Sequence, residues 1–303
     1  MNPPFGFINA FKPPGPSSAA FGSWVKRVAG GVAVGHWGTL DPMACGVLVL
    51  GVGKATRLFP LIADATKSYV FELTVGEQTD SGDRAGTVIA RAPVPADWRE
   101  RLPHAAAALV GPQLQVPPMH SAVKVAGSPL YRSARMGATV PRAARPTTIW
   151  ELRVLAHDGR ANTARLFVHC DAGTYVRVLC EDLGKKLGLP ARMGALLRVA
   201  SGPFVLRESA TSERIARSLH DCLIDPLQVL TNPRHDLSAL HAERFCAGNE
   251  VRVESPERVE AVNALDVLVV SDGTLLGTGT FVDREGQTVL APTRVLAQPR
   301  QGS

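Results

Sequence analysis

Residues Val47 to Val52 (VLVLGV) form a wholly apolar run with glycines immediately outside it at 46 and 53. A run this short, without one polar side chain, reads as a buried strand. Nothing in the chain approaches the roughly 18 consecutive apolar residues that a membrane-spanning helix needs. Leading into the strand are Gly35-His36-Trp37-Gly38, read as a turn, and Thr39-Leu40-Asp41-Pro42. Asp41 is the only acidic residue before Asp64. Pro42 biases it toward extended backbone, and the glycines at 35, 38, 46, 51 and 53 let a second backbone or a ligand approach closely. A lone carboxylate placed there, with Lys54 and Arg57 nearby, can act as nucleophile or base. It can equally be an Asp-Pro turn that serves geometry alone.

The 303 residues suffice for one large domain and a small one. Five cysteines at 45, 170, 180, 222 and 246 form no CxxC pair, so the expectation is a reduced, cytoplasmic protein without a zinc site. The N-terminus has no charged segment before an apolar one, which predicts no secretory signal. Charge is unevenly placed. From Leu237 onward there are six basic and nine acidic residues, against 27 and 18 before it. Between Arg101 and Trp150 stand Arg101, Lys124, Arg132, Arg135, Arg142 and Arg145 with no acid among them. A one-sided basic segment suits a polyanionic partner such as nucleic acid; a solvated basic face is the plain alternative.

Along the chain, Phe5 to Asn9 reads as a strand, and Ser17 or Ser18 caps a helix that passes Trp24 and Val28 and stops at Gly30-Gly31. Lys54 to Ile62 has helical spacing, and SYVFELTV (68–75) alternates as a strand that Tyr69 opens. The polar loop GEQTDSGDRAG (76–86) carries Asp80 and Asp83 without a third ligand nearby, so a turn network is expected there rather than a metal. Thr87 to Ala90 is a strand and Pro95 to Val110 a surface helix. A basic, turn-rich region follows from 117 to 146, with a short helix at Leu130 to Met136; so long a stretch with few core residues is usually functional. Thr147 to His157 and Asn162 to Cys170 alternate as paired strands, and a helix from Thr174 to Leu187 holds Tyr175 and Arg177 in its first turn. A cation is disfavoured at that end of a helix, which calls for a partner for Arg177. Ala191 to Val199 follows, then a strand at Phe204 to Leu206 and a helix near Glu213 to Ser218. Asn232 to Asp236 is the best linker candidate, and short strands beyond it predict a β-rich module.

Four stretches together resemble one family. GHWGTLDPMACGVL resembles the catalytic motif of the TruB-type pseudouridine synthases, which modify the T-loop of tRNA. Lys67-Ser68-Tyr69 with the following GEQTDSGD loop, PPMHSAVKVAGSPLYRSARMG, and CDAGTYVRVLCEDLGKKLG with Leu196 to Phe204 are similar to the family's remaining motifs. The likeness spans roughly residues 5 to 230, and the tail resembles a PUA-type RNA-binding barrel. The resemblance implies an α+β fold: a mixed, largely antiparallel sheet with flanking helices, plus a small β-rich C-terminal domain. It implies a catalytic domain at 1–231 with an RNA-gripping insertion at 117–146, and a PUA-like domain at 237–303. It further implies isomerisation of uridine 55 of tRNA by a cytoplasmic monomer without cofactor, metal, membrane or obligate protein partner. Carried over by position, Asp41 is the catalytic aspartate, Arg177 its partner and Tyr69 the ring that stacks on the target base. His36 holds the RNA with its uridine flipped out, Tyr175 and Leu196 line the uridine pocket, and Lys12 belongs to an N-terminal Lys-Pro motif. Lys124, Arg132, Arg135, Arg142 and Arg145 form the RNA grip. Departures are His120 where the family usually has tyrosine, Cys45 where threonine is common, and Leu197 at the first of two usual arginines. Ala10-Phe11 stand where an aspartate often precedes the lysine.

The implied reaction breaks the C1′–N1 bond, turns the base and rejoins it through C5, with no net redox change. It needs one ionised carboxylate and no outside acceptor, in keeping with a sequence that has no P-loop, no dinucleotide-binding fingerprint and no metal-ligand cluster. A related synthase on another RNA, or an RNA-folding chaperone, would share much of this pattern. Replacing Arg132, Arg135 or Arg142 is expected to flatten the slope of log K for tRNA against log salt by roughly 0.7 per lost phosphate contact. An unchanged slope in all three variants would remove the insertion from the binding surface.

Overall fold

The structure, a computed structural model, describes residues 3–118, 124–125, 128–129, 140–158, 161–253 and 266–297. Strands of the first part, in chain order, are β1 (Gly6–Lys12), β2 (Val34–Trp37), β3 (Cys45–Val52), β4 (Lys67–Val75), β5 (Glu77–Thr79) and β6 (Val88–Arg91). They continue as β7 (Gly111–Gln115), β8 (Lys124–Val125), β9 (Ser128–Pro129), β10 (Arg145–Asp158), β11 (Thr163–Cys170), β12 (Ala191–Ser201) and β13 (Phe204–Val205). The longer helices among the described residues that flank them are α1 (Ser18–Val28), α2 (Trp98–Ala107) and α3 (Val176–Leu187).

One nine-stranded sheet runs in the order β1-β3-β12-β4-β11-β10-β7, with β2 added to β3 and β13 to β12. Its pairings are antiparallel except β3 with β12, which run parallel. The sheet is therefore mixed and largely antiparallel, as the family resemblance implies. The apolar run at 47–52 lies inside β3, where β1 takes one edge and β2 and β12 share the other. Alternation sends Leu48 and Leu50 into a core with Phe21 and Val25 of α1 and Leu179 and Leu183 of α3. Val47 and Val49 face the opposite core, with Phe7, Leu58 and Phe204. A strand covered on both faces has no position for a polar side chain, which explains its composition.

The second part forms a five-stranded sheet from β14 (Arg234–Asp236), β15 (Val251–Arg252), β16 (Val267–Ser271), β17 (Thr274–Arg284) and β18 (Gln287–Val295), in the order β14-β16-β17-β18-β15. Leu268, Leu275 and Leu296 join the core on the Val47 side of the first sheet, and Arg57 donates through Nη1 to the Val295 carbonyl at 3.1 Å. The two sheets thus share an apolar seam.

Some elements differ from the sequence reading. Gly35-His36-Trp37 is not a turn: Val34–Trp37 pairs with Val49–Val52, and the bend falls at Gly38. Residues 191–199, for which the sequence pattern assigns no element, are the strand that joins β3 to β4; cross-strand pairing overrides the helix-forming alanines and leucines. Arg234–Asp236 is an edge strand rather than a free linker, and Gly53–Leu61 is a 3-10 helix. Strand β7 was not foreseen. The expected helix at 130–136 lies outside the described residues. Among the described residues no helix is long and apolar enough to cross a membrane.

Gly46 has φ +107, and a Cβ there would lie 2.2 Å from the Arg198 carbonyl oxygen, so only glycine admits the parallel junction of β3 and β12. Leu50 is fully buried. Leu50→Ala is expected to lower the unfolding free energy by about 2–5 kcal/mol in urea titrations, and Gly46→Ala at least as much. Variants within about 0.5 kcal/mol of wild type would contradict this packing.

Candidate active site

Asp41 sits in the loop that carries the chain from β2 to β3, and almost every carbonyl around it is held. Ser18 Oγ donates to the Leu40 carbonyl at 2.9 Å and accepts from the Leu40 N–H at 2.8 Å. Lys12 Nζ donates to the carbonyls of Pro13 and Pro16 at 2.9 Å each and of Pro42 at 3.4 Å. From the other side, Arg198 donates through Nη2 to Gly38 at 3.2 Å, Nη1 to Thr39 at 3.3 Å and Nε to Val47 at 2.7 Å. Bonds to charged donors are the stronger kind, and those from fully buried Lys12 and Arg198 are shielded from water. Together they fix the loop on both sides of Asp41, whose side chain remains 32% exposed.

Facing it is Arg177, from the first turn of α3, with its side chain 6% exposed. Its Nη2 lies 3.1 Å from Asp41 Oδ2 and 3.4 Å from Oδ1. Its Nη1 lies 3.7 Å from Asp83 Oδ2 and donates to the Ser81 carbonyl at 3.3 Å. Asp83 is also held in the turn, accepting from Ser81 Oγ at 2.8 Å and the Ala85 N–H at 2.9 Å. The turn network expected of the 76–86 loop is therefore present, with Asp80 accepting from the Thr87 N–H at 2.8 Å. Its additional task, a second carboxylate on Arg177, was not read from the sequence. One guanidinium shared by two carboxylates leaves a net negative charge, and the one exposed to the cleft is Asp41.

A cleft of about 380 Å³ opens beside this pair. Asp41, Thr39 and Trp37 form one wall, Lys67 and Tyr69 of β4 and Leu196 and Arg198 of β12 the floor, and Tyr175 and Arg177 the far wall. Alternation explains the floor: Lys67 and Tyr69, two apart on a strand, share a face, as do Leu196 and Arg198. Burial raises the Tyr69 pKa, with the Arg198 guanidinium opposing it, so the ring meets the cleft as a neutral phenol. Gln115 of β7 positions Tyr175, accepting from its N–H at 2.8 Å and donating to its carbonyl at 3.5 Å.

Five of the sequence-predicted site residues (Asp41, Arg177, Tyr69, Tyr175 and Leu196) thus converge. Two do not line the cleft. Half-buried His36 lies on β2 with Nε2 3.4 Å from Thr39 Oγ1, and burial and Arg198 lower its pKa. Lys12 stays behind the loop; burial lowers its pKa to about 8, which leaves it an ammonium at neutral pH for its three carbonyls. Of the basic segment, Arg142 is half-buried and donates to the Pro117 carbonyl at 2.9 Å, and exposed Arg145 opens β10. The Lys124 side chain, Arg132 and Arg135 lie outside the described residues. Arg198 and Lys67 also line the cleft without a signal of their own in the sequence: 191–199 has helix-forming composition, and Lys67 stands two positions before Tyr69. The period-2 rule applied to each would have found them.

Residues 26–176 match a family model described as TruB family pseudouridylate synthase (N terminal domain). The tRNA pseudouridine synthase B of Aromatoleum aromaticum is 37% identical over 297 residues, covering 96% of this chain and 92% of the relative. That of Streptococcus gordonii is 35% identical over 302 residues, covering 98% of each. A crystal structure of a Cbf5-Nop10-Gar1 complex contains a chain with TM-score 0.70 at 22% identity, covering 97% of this chain and 86% of that one, a likeness of fold.

Arg177→Met is expected to cost about 3 kcal/mol in unfolding free energy, because it leaves Asp83 buried beside no cation. Restoring Asp83 to neutrality in the Arg177→Met/Asp83→Asn double variant should recover part of that loss. Additive losses would show that the two groups are not coupled.

Proposed function

We propose that this chain, which belongs to the TruB family of pseudouridylate synthases and is an isomerase, converts uridine to pseudouridine in the T-loop of tRNA, at position 55 in standard numbering. The observation that carries the reading is the Asp41–Arg177 pair, 3.1 Å apart at the wall of a cleft floored by Tyr69 and Leu196. The relatives' names supply the tRNA, and the motif resemblance supplies the T-loop.

The reaction breaks C1′–N1, forms C1′–C5, moves the C5 proton off the ring and returns one to N1. Atoms and electrons balance without an external reagent. Asp41 supplies the carboxylate, as nucleophile or base. In a partly apolar pocket a carboxyl tends to protonate, and Arg177 counters this with charge while orienting the oxygens. Extruding the base from its stack costs a few kcal/mol; stacking on Tyr69 returns about 1–3 kcal/mol, and Leu196 with Tyr175 closes the apolar pocket around it. His36, near the rim through Thr39, holds the RNA strand. Lys12 acts from behind by fixing the Pro42 carbonyl. Lys124, Arg132, Arg135, Arg142 and Arg145 grip the T-arm, since folded RNA loops are recognised through shape and phosphates. Residues 1–231 form the catalytic domain and 237–303 a PUA-like RNA-binding domain. The resemblance to the family further implies a cytoplasmic monomer acting without an obligate protein partner.

Asp41→Asn keeps the size and hydrogen-bonding reach of the side chain and removes its charge. On tRNA transcript carrying tritium at uridine C5, the variant is expected to release tritium at least about 10³-fold more slowly, with tRNA affinity within about threefold of wild type. Wild-type release from Asp41→Asn would overturn its role. No release by the wild-type chain from bare transcript would overturn the tRNA reading.

A further inference from the structure

We infer that Lys67 is a substrate-binding residue whose ammonium takes an anionic oxygen of the bound nucleotide. The inference rests on the cleft being the uridine site and adds to it the group that receives negative charge there.

Among the described residues three cations border the cleft, and two of them are engaged by protein groups. Arg177 serves Asp41, Asp83 and the Ser81 carbonyl. Arg198 uses Nε, Nη1 and Nη2 on the carbonyls of Val47, Thr39 and Gly38. Lys67 is different. It is 6% exposed, yet among the described residues its Nζ has neither a carboxylate in ion-pairing distance nor an acceptor in hydrogen-bonding reach. Its ammonium lies over Trp37, whose ring centroid is 3.6 Å from Nζ. Asp64, a carboxylate whose charge acts on it, is committed elsewhere, accepting from Thr66 N–H at 2.8 Å and Thr66 Oγ1 at 2.7 Å.

A largely buried lysine whose ammonium finds no acceptor among the described residues is costly, and an aromatic face recovers only part of its lost hydration. Such a group is retained where something else completes it. Trp37 fixes the ammonium at the cleft wall, and the cleft is where a ligand arrives. The proposed reaction brings two anionic oxygens of shared chemistry into this space. One is a phosphate oxygen of the flipped nucleotide. The other is a carbonyl oxygen of uracil, which gains negative charge when C1′–N1 breaks and the electron pair stays on the base.

Titration supports the geometry. Burial, with Arg198 beside it, lowers the Lys67 pKa to about 7. The other groups around it are Cys170, whose thiol burial raises to about 11; Asp64, shifted down; Tyr69, shifted up; His36, shifted down; Arg198; and Asp41 across the cleft. His169 bonds Ser68 on the opposite face of the sheet. A bound anion would hold the ammonium charged.

The test compares wild type with Lys67→Met and Lys67→Arg on tritiated tRNA transcript, in single-turnover release and in binding across salt. Lys67→Met is expected to lose about ten- to a hundredfold in kcat/KM, with unchanged melting temperature, and Lys67→Arg to regain most of it. The wild-type advantage over Lys67→Met should shrink as pH rises through about 7, while that of Lys67→Arg persists. A phosphate contact appears as weaker binding with a salt slope lower by about 0.7; a contact to the uracil oxygen appears as a slower single-turnover rate at saturating tRNA. Wild-type affinity, slope and rate in Lys67→Met would overturn the inference, as would equal losses in both variants with lowered melting temperatures. If wild type bound tRNA but released no tritium, the functional reading would fall, while the slope and its rescue would still report on Lys67.

Discussion

Everything at the cleft depends on a guanidinium from α3 meeting a carboxylate from the β2–β3 loop, Arg177 to Asp41 across 136 positions of sequence. Neither group is placed by its own neighbourhood. The sheet places both: β3 sets the height of the loop, β12 lies parallel beside it, and α3 packs on the same face through Leu179 and Leu183. The Asp83 carboxylate engages the same guanidinium, 3.7 Å from its Nη1. An ion pair so heavily engineered from behind is poor evidence for stability, since buried charges repay their desolvation only with full hydrogen bonding. It is good evidence for a carboxylate that must stay ionised at the edge of an apolar pocket.

A second layer explains how a glycine-rich loop can be accurate. Gly38 turns the chain with φ +78 and Gly46 admits the Arg198 backbone, so the loop has freedom its function does not want. Arg198, Lys12 and Ser18 remove that freedom by binding its carbonyls, Lys12 that of Pro42. Conformational permissiveness and side-chain restraint come as a pair: the glycines permit the close approach and the cations hold it.

Much of this was legible in the sequence, for identifiable reasons. The VLVLGV run could be little but a buried strand, and SYVFELTV carried its alternation openly. Asp41 stood out because no other acid precedes Asp64. What stayed hidden was non-local. ARMGALLRVAS has helix-forming composition and becomes a strand only because β3 and β4 flank it. Arg198 vanished with it. His36 looked like a turn residue because glycines surround it, yet pairing with β3 makes it part of a strand. Asp83 could be seen in its turn but not on Arg177, since nothing local links residue 83 to residue 177. The acidic tail likewise hid its attachment, for the seam through Leu268, Leu275 and Leu296 is a property of the assembled core.

The most direct measurement is pseudouridine mapping at single-nucleotide resolution on tRNA from cells that lack this protein and are complemented with either wild type or Asp41→Asn. If Asp41, held against Arg177, is the reacting carboxylate, the T-loop position is pseudouridine with the wild-type chain and unmodified uridine with the variant. Full modification in cells carrying only Asp41→Asn, or in cells with neither chain, would contradict it.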